Sequence, residues 1–476
     1  MRRRGHALAA ALAAASLGCA IGPNYHRPDL ASPDAFRDAG LEMASVADLP
    51  WWEVFRDETL VALIRESLAN NRDLAVAAAN VEQARYAAAS VRSAFLPQLG
   101  YQADATRGKD TTLGQPGAVG RGTENDFLAM ANLAWEIDLW GRIRRASEAS
   151  RAELFATEAV RRGVALSLVS GVAQTWFELC ELDRELEIAR ESIASYQQTR
   201  DLFERQFAGG VTSKLDVLRV EAALAQASAS SAELESQIVA KENELSVLLG
   251  RSAGGIPRGA PLGAQTTPPD VPPGVPSQLL ERRPDLLEAE QRLVAANARE
   301  GVALADYFPR IGLTALAGSV STELSDLLTS GTGFWSIGAS AAGRLFTFGQ
   351  TTYTWKAAQA ASDASRAAYQ GAVLEALREV SDDLVARETL VTVREARERA
   401  VAALRESVDI SQTRYRGGLS TYLEVLNAQQ QLYPAEFDLA RTERDQLLVV
   451  VRLYRALGGG WNADGPAPRI PLPIAP

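Results

Sequence analysis

An internal duplication constrains the fold of this chain more than any other feature of its sequence. Four short motifs of the first half recur in the same order in the second half. Two of them recur 208 positions later and pair Arg205–Leu218 with Thr413–Leu426 and Asp138–Gly141 with Phe346–Gly349. The other two recur 212 positions later and pair Asp73–Leu74 with Asp285–Leu286 and Leu96–Pro97 with Phe308–Pro309. A length of 476 residues would ordinarily suggest about three domains, but the repeats predict one unit built twice.

Each repeat is predicted to contain a helix, two strands, a long helix and a return helix. The first repeat covers 57–249, with strands at about 98–106 and 127–139, a long helix at 141–208 and a return helix at 214–249. The second covers 280–457, with strands at about 310–319 and 333–346, a long helix at 350–416 and a return helix at 421–457. A linker rich in Gly and Pro, 250–279, separates the repeats, and 458–476 form a Pro-rich tail.

The composition excludes several classes of function. The chain carries 49 Lys and Arg against 59 Asp and Glu, a net charge of −10, which makes it a poor nucleic-acid binder. His6 and His26 are its only histidines, so the body of the chain can hold neither a His-based catalytic triad nor a zinc site that uses histidine. Cys19 and Cys180 are its only cysteines, which leaves no disulfide framework once Cys19 is processed.

The N-terminus has the pattern of a secretory signal. Arg2–Arg4 precede an apolar run, Ala7–Leu17, that is too short to cross a bilayer of about 30 Å as a helix. The run leads into Cys19 in a sequence that looks like a bacterial lipobox, although Leu17 stands one place nearer the cysteine than usual. Residues 1–18 are therefore predicted to be a signal peptide, and 19–56 a lipidated extended segment that begins at Cys19. An ordinary signal peptide with an incidental cysteine is the alternative.

The long helices carry the clearest periodicity. Apolar residues of the first one recur at alternating spacings of three and four from Leu179 to Phe207, with Arg200 as the only polar member, which is a coiled-coil seam. The return helix has a second stripe at helical spacing, which we expect to pack against its partner helix: Leu215, Leu218, Ala222, Ala225, Ala229 and Ala232. Taken alone, these helices would suit a plain periplasmic coiled-coil rod.

The segments between the helices do not fit a rod. They alternate apolar and polar residues over about ten positions, the length of a strand in a membrane β-barrel, and a small soluble sheet with one buried face is the alternative. Aromatic residues lie towards the strand ends, where a membrane barrel has its aromatic girdle: Tyr101, Trp135, Trp140, Tyr307, Phe308, Phe346 and Phe348. Four strands cannot close a barrel, and an open edge in lipid leaves backbone groups unpaired. Two chains would make a filled eight-stranded barrel, so a homotrimer with twelve strands is the smallest assembly that leaves a pore.

Several motifs together resemble those of the TolC-type outer-membrane efflux factors, in the lipoprotein branch often called the NodT family. They are Cys19–Pro28, Trp51–Phe55 with Asp57 and Leu60, Arg283–Leu286, Tyr307–Pro309, the paired glycines of the two helix reversals, and Leu457–Trp461. The resemblance implies an α+β membrane protein of the outer membrane, in which a trimer combines a twelve-stranded β-barrel with a helical tunnel in the periplasm. It further implies a passive exit duct for small molecules that docks on a periplasmic adaptor (a membrane fusion protein) and an inner-membrane pump of the RND class. Neither enzymatic activity, a metal nor a cofactor is expected beyond the lipid on Cys19.

The helix reversals are the candidate functional site. Two paired glycines end the long helices, and the return helices then begin with Ser213-x-x-Asp216 and Thr421-x-x-Glu424, a pattern that is also a helix capping box. The resemblance implies adaptor contacts at these tips: Gly209, Gly210, Val211, Thr212, Ser213, Gly417, Gly418, Leu419, Ser420 and Thr421. It also implies that Leu423, Glu424 and Asn427 line the constriction at the mouth, with Asp216 as the first-repeat counterpart of Glu424. We favour helix capping for Asp216 and lumen lining for Glu424. Pro434, inside the return helix, is either a hinge or a tolerated bend.

Other functions remain compatible with these patterns. Within transport, the duct could serve type I protein secretion or metal efflux, although the sequence contains no Met-rich or His-rich tract. In a different class, a lipid-anchored periplasmic scaffold or adaptor would also use coiled coils. An adaptor should carry a single helical hairpin between β-rich segments, whereas this chain has two hairpins.

Overall fold

The structure, a computed structural model, describes residues 20–29, 54–55, 57–109, 123–265, 279–329 and 331–459. The predicted signal peptide, Cys19, the Trp51–Trp52 motif, residues 266–278 of the predicted linker and most of the predicted tail lie outside the described residues. The contacts of the chain divide it into two compact units. The first comprises Met1–Asp29, Asn80–Glu158 and Glu288–Gln370, and the second comprises Leu30–Ala79, Ala159–Leu287 and Gly371–Pro476.

The first unit contains a four-stranded antiparallel sheet in the order β1-β2-β3-β4. Its strands are β1 (Gln98–Lys109), β2 (Thr123–Ile137), β3 (Arg310–Ser321) and β4 (Gly333–Ala342). The β1–β2 hairpin pairs Gln98 with Ala134, and the β3–β4 hairpin pairs Arg310 with Ala342. These two pairs differ by the same 212 and 208 positions that relate the sequence motifs. The duplication therefore extends to the register of the hairpins.

One face of this sheet is apolar and exposed. Leu99 and Tyr101 of β1 are 78% and 90% exposed, and Trp335 and Ile337 of β4 are 75% and 79% exposed. Alternate residues of a strand point to opposite faces, so these four side chains lie on one side of the sheet. An apolar face of this kind is the surface that lipid covers in a membrane barrel.

Two strands end earlier than the sequence predicted. β2 was expected to reach residue 139 but ends at Ile137, because the Asp138 carboxylate accepts hydrogen bonds from the backbone N–H groups of Ile143 and Arg144 and so starts the following helix. β4 was expected to reach residue 346 but ends at Ala342. There Gly343 lies against the backbone of Pro309, and Phe348 takes a positive φ of 51°, so the chain turns away from the sheet.

Eight α-helices account for most of the remaining described residues. They are α1 (Glu58–Asn70), α2 (Arg72–Ser93), α3 (Arg142–Ala208), α4 (Lys214–Leu248), α5 (Leu279–Arg282), α6 (Pro284–Ala305), α7 (Gln350–Arg416) and α8 (Tyr422–Ala456). Single 3₁₀ turns lie at Leu262–Ala264 and Leu324–Asp326. The long helices α3 and α7 have 67 residues each, and the return helices α4 and α8 have 35 each.

The first helix of each repeat is interrupted at an equivalent position. Asn71 separates α1 from α2, and its side-chain oxygen accepts from the N–H of Leu74 at 3.0 Å. In the second repeat, 212 positions later, Arg283 separates α5 from α6, and Pro284 occupies the first turn of α6, where its missing N–H costs no hydrogen bond. The sequence predicted a single helix at each place, so both breaks are additions from the structure.

The predicted seam of α3 is buried over most of its length in the second unit. Leu179, Ala189, Tyr196 and Phe203 are all buried, whereas Phe207 at its end is exposed. Cys180 is also buried and free, and burial raises the pKa of its thiol to about 12.

We predicted that the apolar stripe of α4 packs against its partner helix. For contacts within one chain, this prediction was wrong. The stripe from Leu215 to Ala232 is exposed. The buried residues of α4 are instead Val217, Val220, Ser231, Leu234, Ile238, Leu245 and Ser246. Valine, leucine and isoleucine bury more apolar area than alanine, so the face that carries them packs against the rest of the unit.

Residues 20–29 lie on the first unit as an extended strap. The N–H of Ile21 donates to the carbonyl of Trp140 at 3.1 Å, directly after β2. At the other end, the Arg27 guanidinium donates to both oxygens of Glu290 at 2.7 and 2.6 Å, and the hydroxyl of Tyr25 donates to the same carboxylate at 2.9 Å. The strap therefore holds the residue after Cys19 beside the end of a strand.

Candidate functional site

The two reversals between long and return helices have the same backbone geometry. At the first, Gly210 takes a positive φ of 71°, and the N–H of Val211 donates to the carbonyl of Gln206 at 2.8 Å. At the second, Gly418 has a φ of 70°, and the N–H of Leu419 donates to the carbonyl of Arg414 at 2.9 Å. This is the Schellman arrangement, in which a glycine in the left-handed conformation ends a helix. The paired glycines thus end α3 and α7 where the sequence placed the reversals.

The first tip begins its return helix with a side-chain cap. The Ser213 hydroxyl oxygen accepts from the N–H of Asp216 at 3.2 Å, and the same hydroxyl donates to the Asp216 carboxylate at 2.6 Å. Thr212 adds a longer hydroxyl contact to this carboxylate at 3.4 Å. Ser213 therefore caps α4, and the Asp216 carboxylate is bound to the capping hydroxyl; the role of Asp216 at the mouth stays a prediction.

The second tip lacks this cap. Within the described residues, the Thr421 side chain accepts no hydrogen bond from the first turn of α8, and the N–H of Glu424 donates only to the Thr421 carbonyl, at 3.2 Å. The Glu424 carboxylate lies 3.7 Å from the Arg414 guanidinium, and both side chains are about half exposed. Among the described residues Glu424 thus makes no capping hydrogen bond, and its carboxylate forms a half-exposed ion pair with Arg414.

The three residues predicted to line the mouth lie on one exposed face of α8. Leu423, Glu424 and Asn427 are all exposed, and their spacing of one and three positions places them side by side on a helix. The neighbouring residues Val425 and Leu426 are buried on the other side. The structure therefore brings the predicted group together, while Asp216 belongs to a different helix. Pro434 does not end α8, which continues through it to Ala456.

An aromatic cluster determines which face of α8 is exposed. The Tyr422 ring packs edge-on against Phe203 of α3, with centroids 4.5 Å apart, and against Tyr415 of α7 at 5.4 Å. Phe203 is 1% exposed, and Tyr196, Val217, Val220 and Leu426 complete the buried cluster around it. The first residue of α8 is thus fixed to a helix of the first repeat, which turns Leu423 and Glu424 outward.

Polar side chains reinforce this cluster. The Tyr422 hydroxyl donates to the Thr199 hydroxyl at 2.9 Å, and the Gln429 amide donates to the Ser195 hydroxyl at 2.9 Å. The Tyr415 hydroxyl donates to Gln206 at 3.1 Å. Burial raises the pKa of Tyr422 to about 12, so its hydroxyl remains protonated and able to donate throughout the physiological range.

Sequence reasoning missed the role of Tyr415 and Tyr422. The signal was a break in the repeat: their counterparts 208 positions earlier are Phe207, which is exposed, and Lys214. Because the first repeat has different residues at these positions, the two tyrosines could have indicated contacts that only the second repeat makes. Their partner Phe203 was identified only as a seam residue.

Apolar side chains project from both tips. Val211 is 77% exposed and Leu419 is 75% exposed, at equivalent positions of the two turns. Thr421 and Ser213 are also exposed, whereas the hydroxyl oxygen of Ser420 is buried without a hydrogen-bond partner among the described residues. Each turn therefore presents one exposed aliphatic side chain.

The sheet and the tips together define a protein with an apolar membrane-type sheet and paired helical hairpins. Residues 63–251 and 275–459 each match the sequence pattern of the family described as outer membrane efflux protein. The two matches follow the two repeats.

Relatives of known name agree with this match over nearly the full length. The solvent efflux pump outer membrane protein SrpC of Pseudomonas putida is 35% identical over 458 residues, which cover 94% of this chain and 96% of the relative. The probable outer membrane lipoprotein SilC of Salmonella typhimurium is 32% identical over 93% of this chain and 96% of its own. Among solved structures, the outer-membrane channel OprN superposes with a TM-score of 0.84 at 33% identity, over 93% of this chain and all of that chain.

The chain belongs to the outer membrane efflux protein family. Its location is the outer membrane, and it acts as an efflux channel with a TolC-like fold. The family and fold inferred from the sequence motifs are confirmed by these findings. The roles of the individual tip residues are not tested by them and remain predictions.

Proposed function

We propose that three copies of this chain form the exit duct of a tripartite efflux pump, with a shared twelve-stranded barrel in the outer membrane. The observation that carries the proposal is the sheet itself. Within the described residues, β1 and β4 each have one paired neighbour, so the sheet has two open edges beside an apolar exposed face. Unpaired backbone groups in lipid cost several kcal/mol each, so the edges must meet strands of other copies.

The mouth of the duct is proposed to lie at the helix tips. In a trimer, the exposed faces that carry Leu423, Glu424 and Asn427 would converge on the axis. Three Glu424 carboxylates near one another would favour cations at this point. The aromatic cluster around Tyr422 supports a gating role, because it sets the direction in which this face points.

The tips are also proposed to dock on a periplasmic adaptor that links the duct to an inner-membrane pump of the RND class. The exposed Val211 and Leu419 support this, since each turn presents an aliphatic side chain beyond the last helical residue. The duct itself would be passive: no catalytic step and no cofactor is assigned to it, and the energy for export would come from the pump.

A diacylglycerol on Cys19 is proposed to anchor each copy. Residue 19 lies outside the described residues, but Ala20 contacts Gly141, directly after β2 and Trp140. The name of the relative SilC, a probable outer membrane lipoprotein, also supports this. Mass spectrometry of the N-terminal peptide should find the lipid, and a Cys19→Ser variant should lack it.

The duct can be tested with purified protein. Light scattering in detergent should give the mass of three chains, and the trimer should conduct ions in a planar bilayer. Glu424→Ala and Leu423→Ser should each raise the conductance of the closed state. A monomer, or a trimer without conductance even in these variants, would contradict the proposal.

Docking can be tested separately in cells. Val211→Asp together with Leu419→Asp should abolish resistance to exported compounds while the amount of protein in the outer membrane is unchanged. Val239→Asp is the matched control. Val239 is an exposed valine of α4, the helix that follows the first turn, and it lies far from that turn. Equal loss of resistance in both variants would argue against a docking role for the tips.

A further inference from the structure

The second unit contains a pair of buried carboxylates that the proposed duct does not use. Glu181 and Glu185 of α3 are 4% and 3% exposed. Residues four positions apart on a helix lie on the same face, so the two side chains are neighbours. A buried carboxylate is unfavourable unless it is paired or keeps its proton. The charge of this pair must therefore be offset by its surroundings or removed.

Two arginines of the return helix α8 face the pair. The Arg444 guanidinium lies 3.2 Å from the Glu181 carboxylate, and Nε of Arg441 lies 2.8 Å from Oε1 of Glu185. Each is a partial partner, because Arg444 also donates to Asp445 at 2.8 Å and the side chain of Arg441 is half exposed. Water screens the charge of an exposed arginine, so these cations offset the buried carboxylates incompletely.

One oxygen of the pair lacks a donor. Although it is close to Arg441, Oε1 of Glu185 accepts no hydrogen bond from any described residue. Glu181 lies within hydrogen-bonding range of Glu185. An ionised carboxylate can only accept, whereas a protonated carboxyl group donates one O–H. A proton on Glu181 therefore gives the Glu185 carboxylate a donor.

The surrounding charges lie in ion pairs of their own. They come from each of the helices around the pair: Glu178 of α3 with Lys241 of α4 at 2.7 Å, Arg184 with Glu187 within α3, Arg394 of α7 with Glu443 of α8 at 3.8 Å, and Asp438 with Arg441 within α8 at 3.9 Å. Arg444 and Arg441 are the cations that act most strongly on Glu181. The contact between α3 and α8 therefore governs the charge of the pair.

The ionisation of Glu181 reflects this environment. Burial, and next the neighbouring Glu185 carboxylate, raise the pKa of Glu181 from its ordinary 4.5 to about 7, against the smaller effect of the two arginines. If α8 moves away, water reaches Glu181 and its pKa falls toward the ordinary value. Between these two values the state with α8 in contact binds more protons, so it is favoured as the pH falls and is weakened as the pH rises.

We propose that Glu181 and Glu185, with Arg441 and Arg444, form a pH-sensitive latch that holds α8 against α3. While the carboxylates share one proton, the latch is closed. When both are ionised, their repulsion and their need for water favour release. Phe203 of the aromatic cluster lies 22 residues further along α3, about 33 Å away on a helix. The latch and the cluster thus join the same two helices at two levels, and loosening one lowers the free energy needed to open the other.

The duplication does not repeat the latch. The positions 208 residues away carry other side chains: Thr389 and Val393 on α7, and Glu233 and Ser236 on α4. The latch therefore acts on α8, the helix that carries Leu423 and Glu424. Its effect on conductance rests on the proposed function of that helix at the mouth of the duct, whereas the shared proton does not.

Infrared spectroscopy of the full-length protein in detergent tests the shared proton. A carboxylic C=O band should disappear as the pH is raised from about 5 to about 8, and Glu181→Gln should lack this band. Glu187→Gln is the matched control and should keep it, because Glu187 is an exposed carboxylate of the same helix. Glu185→Gln removes the neighbouring charge and should move the titration to lower pH. Absence of such a band in the unmodified protein, or its persistence in Glu181→Gln, would overturn the latch.

Hydrogen exchange tests whether the proton holds α8. The amides around Arg441 are compared in the unmodified protein and in Glu181→Gln at the same pH, which cancels the intrinsic pH dependence of exchange. The Gln amide donates to Glu185 at every pH, so the two proteins should exchange alike at about pH 5, and the unmodified protein at least about tenfold faster at about pH 8. Glu187→Gln should follow the unmodified protein. A ratio that does not change with pH would contradict the inference.

Conductance in a planar bilayer separates the latch from the duct. The closed-state conductance of the unmodified protein and of Glu187→Gln should rise between about pH 5 and about pH 8, and that of Glu181→Gln should not. The same pH profile in all three proteins would overturn the link between the latch and the mouth. A trimer without conductance at any pH would overturn the duct, while the infrared and exchange measurements still decide whether the latch exists.

Discussion

The two helix tips share one backbone turn but begin their return helices by different means. At the first tip, Ser213 caps α4 and engages Asp216, three positions away. At the second, the start of α8 is held by Tyr422, whose hydroxyl bonds Thr199, 223 positions away in sequence. The start of α4 has a local side-chain cap in addition to its tertiary contacts at Val217 and Val220, whereas the start of α8 is stabilised by tertiary contacts.

The starts of the two return helices should therefore differ in how easily they open. A helix start that depends on tertiary contacts can be released while the turn before it persists, because the two are held by different interactions. The start of α4 keeps its Ser213 cap even where the tertiary contacts of Val217 and Val220 are weakened. Each carboxylate lies near an arginine, Asp216 at 3.8 Å from Arg219 and Glu424 at 3.7 Å from Arg414, but only Asp216 also accepts hydrogen bonds from hydroxyl groups.

Removal of the ring at the centre of the aromatic cluster should have the largest effect on this comparison. Phe203→Ala deletes a buried side chain and should destabilise the cluster by about 3–5 kcal/mol. Hydrogen exchange should then accelerate in the first turns of both return helices, and more in α8, because α4 also has the Ser213 cap. Channel conductance should rise as well.

The adjacent aromatic residue of α3 provides the control for this prediction. Phe207 is 44% exposed, so Phe207→Ala should change exchange in α8 little. Equal effects of the two substitutions would mean that the cluster does not hold the second tip.

Loss of the cap should affect the first tip alone. Ser213→Ala should cost about 1 kcal/mol and accelerate amide exchange in the first turn of α4 roughly fivefold. Thr421→Ala, at the equivalent position, should change α8 little, because the Thr421 side chain accepts no hydrogen bond from its first turn. If the threonine substitution had the larger effect, the contrast between the tips would be reversed.

The hydroxyl of Tyr422 should contribute a smaller amount to the second tip. Tyr422→Phe keeps the ring but removes the bond to Thr199, which should cost about 0.5–1.5 kcal/mol. Thr199→Val should add little in the double variant, because both substitutions remove one interaction. Additive changes in α8 exchange would show that the two hydroxyls act independently.

The smallest expected effect concerns charge and leaves the fold unchanged. Glu424→Gln should lower the preference of the channel for cations, measured as a reversal potential across a salt gradient, by roughly two- to threefold. Asp216→Asn should change it less, because that carboxylate is engaged in the cap. A larger effect at Asp216 would place it, and not Glu424, beside the pathway of the ions.

Elements that depend on local residue types were predicted closely from the sequence. The long helices, expected at 141–208 and 350–416, are found at Arg142–Ala208 and Gln350–Arg416, since paired glycines end both of them. Strand ends were predicted less well. β2 and β4 end where Asp138 caps a helix and where Gly343 meets Pro309, and neither contact is visible in an alternating pattern.

The exposed face of a helix was harder to predict than its length. The stripe of Leu215 to Ala232 has helical spacing, yet it is the opposite face of α4 that packs within the chain. Periodicity shows that residues share a face, but it does not show what covers that face. The aromatic cluster likewise joins residues more than 200 positions apart, so no local pattern could reveal it.

By itself, the amino-acid sequence determined the duplication, the positions of the reversals and the family, because these depend on residue types within short stretches and on motifs repeated along the chain. Only the tertiary structure decided which way α8 faces, how the two tips differ and which charged residues of α3 and α8 come together. These depend on contacts between distant segments, whose geometry is set by packing.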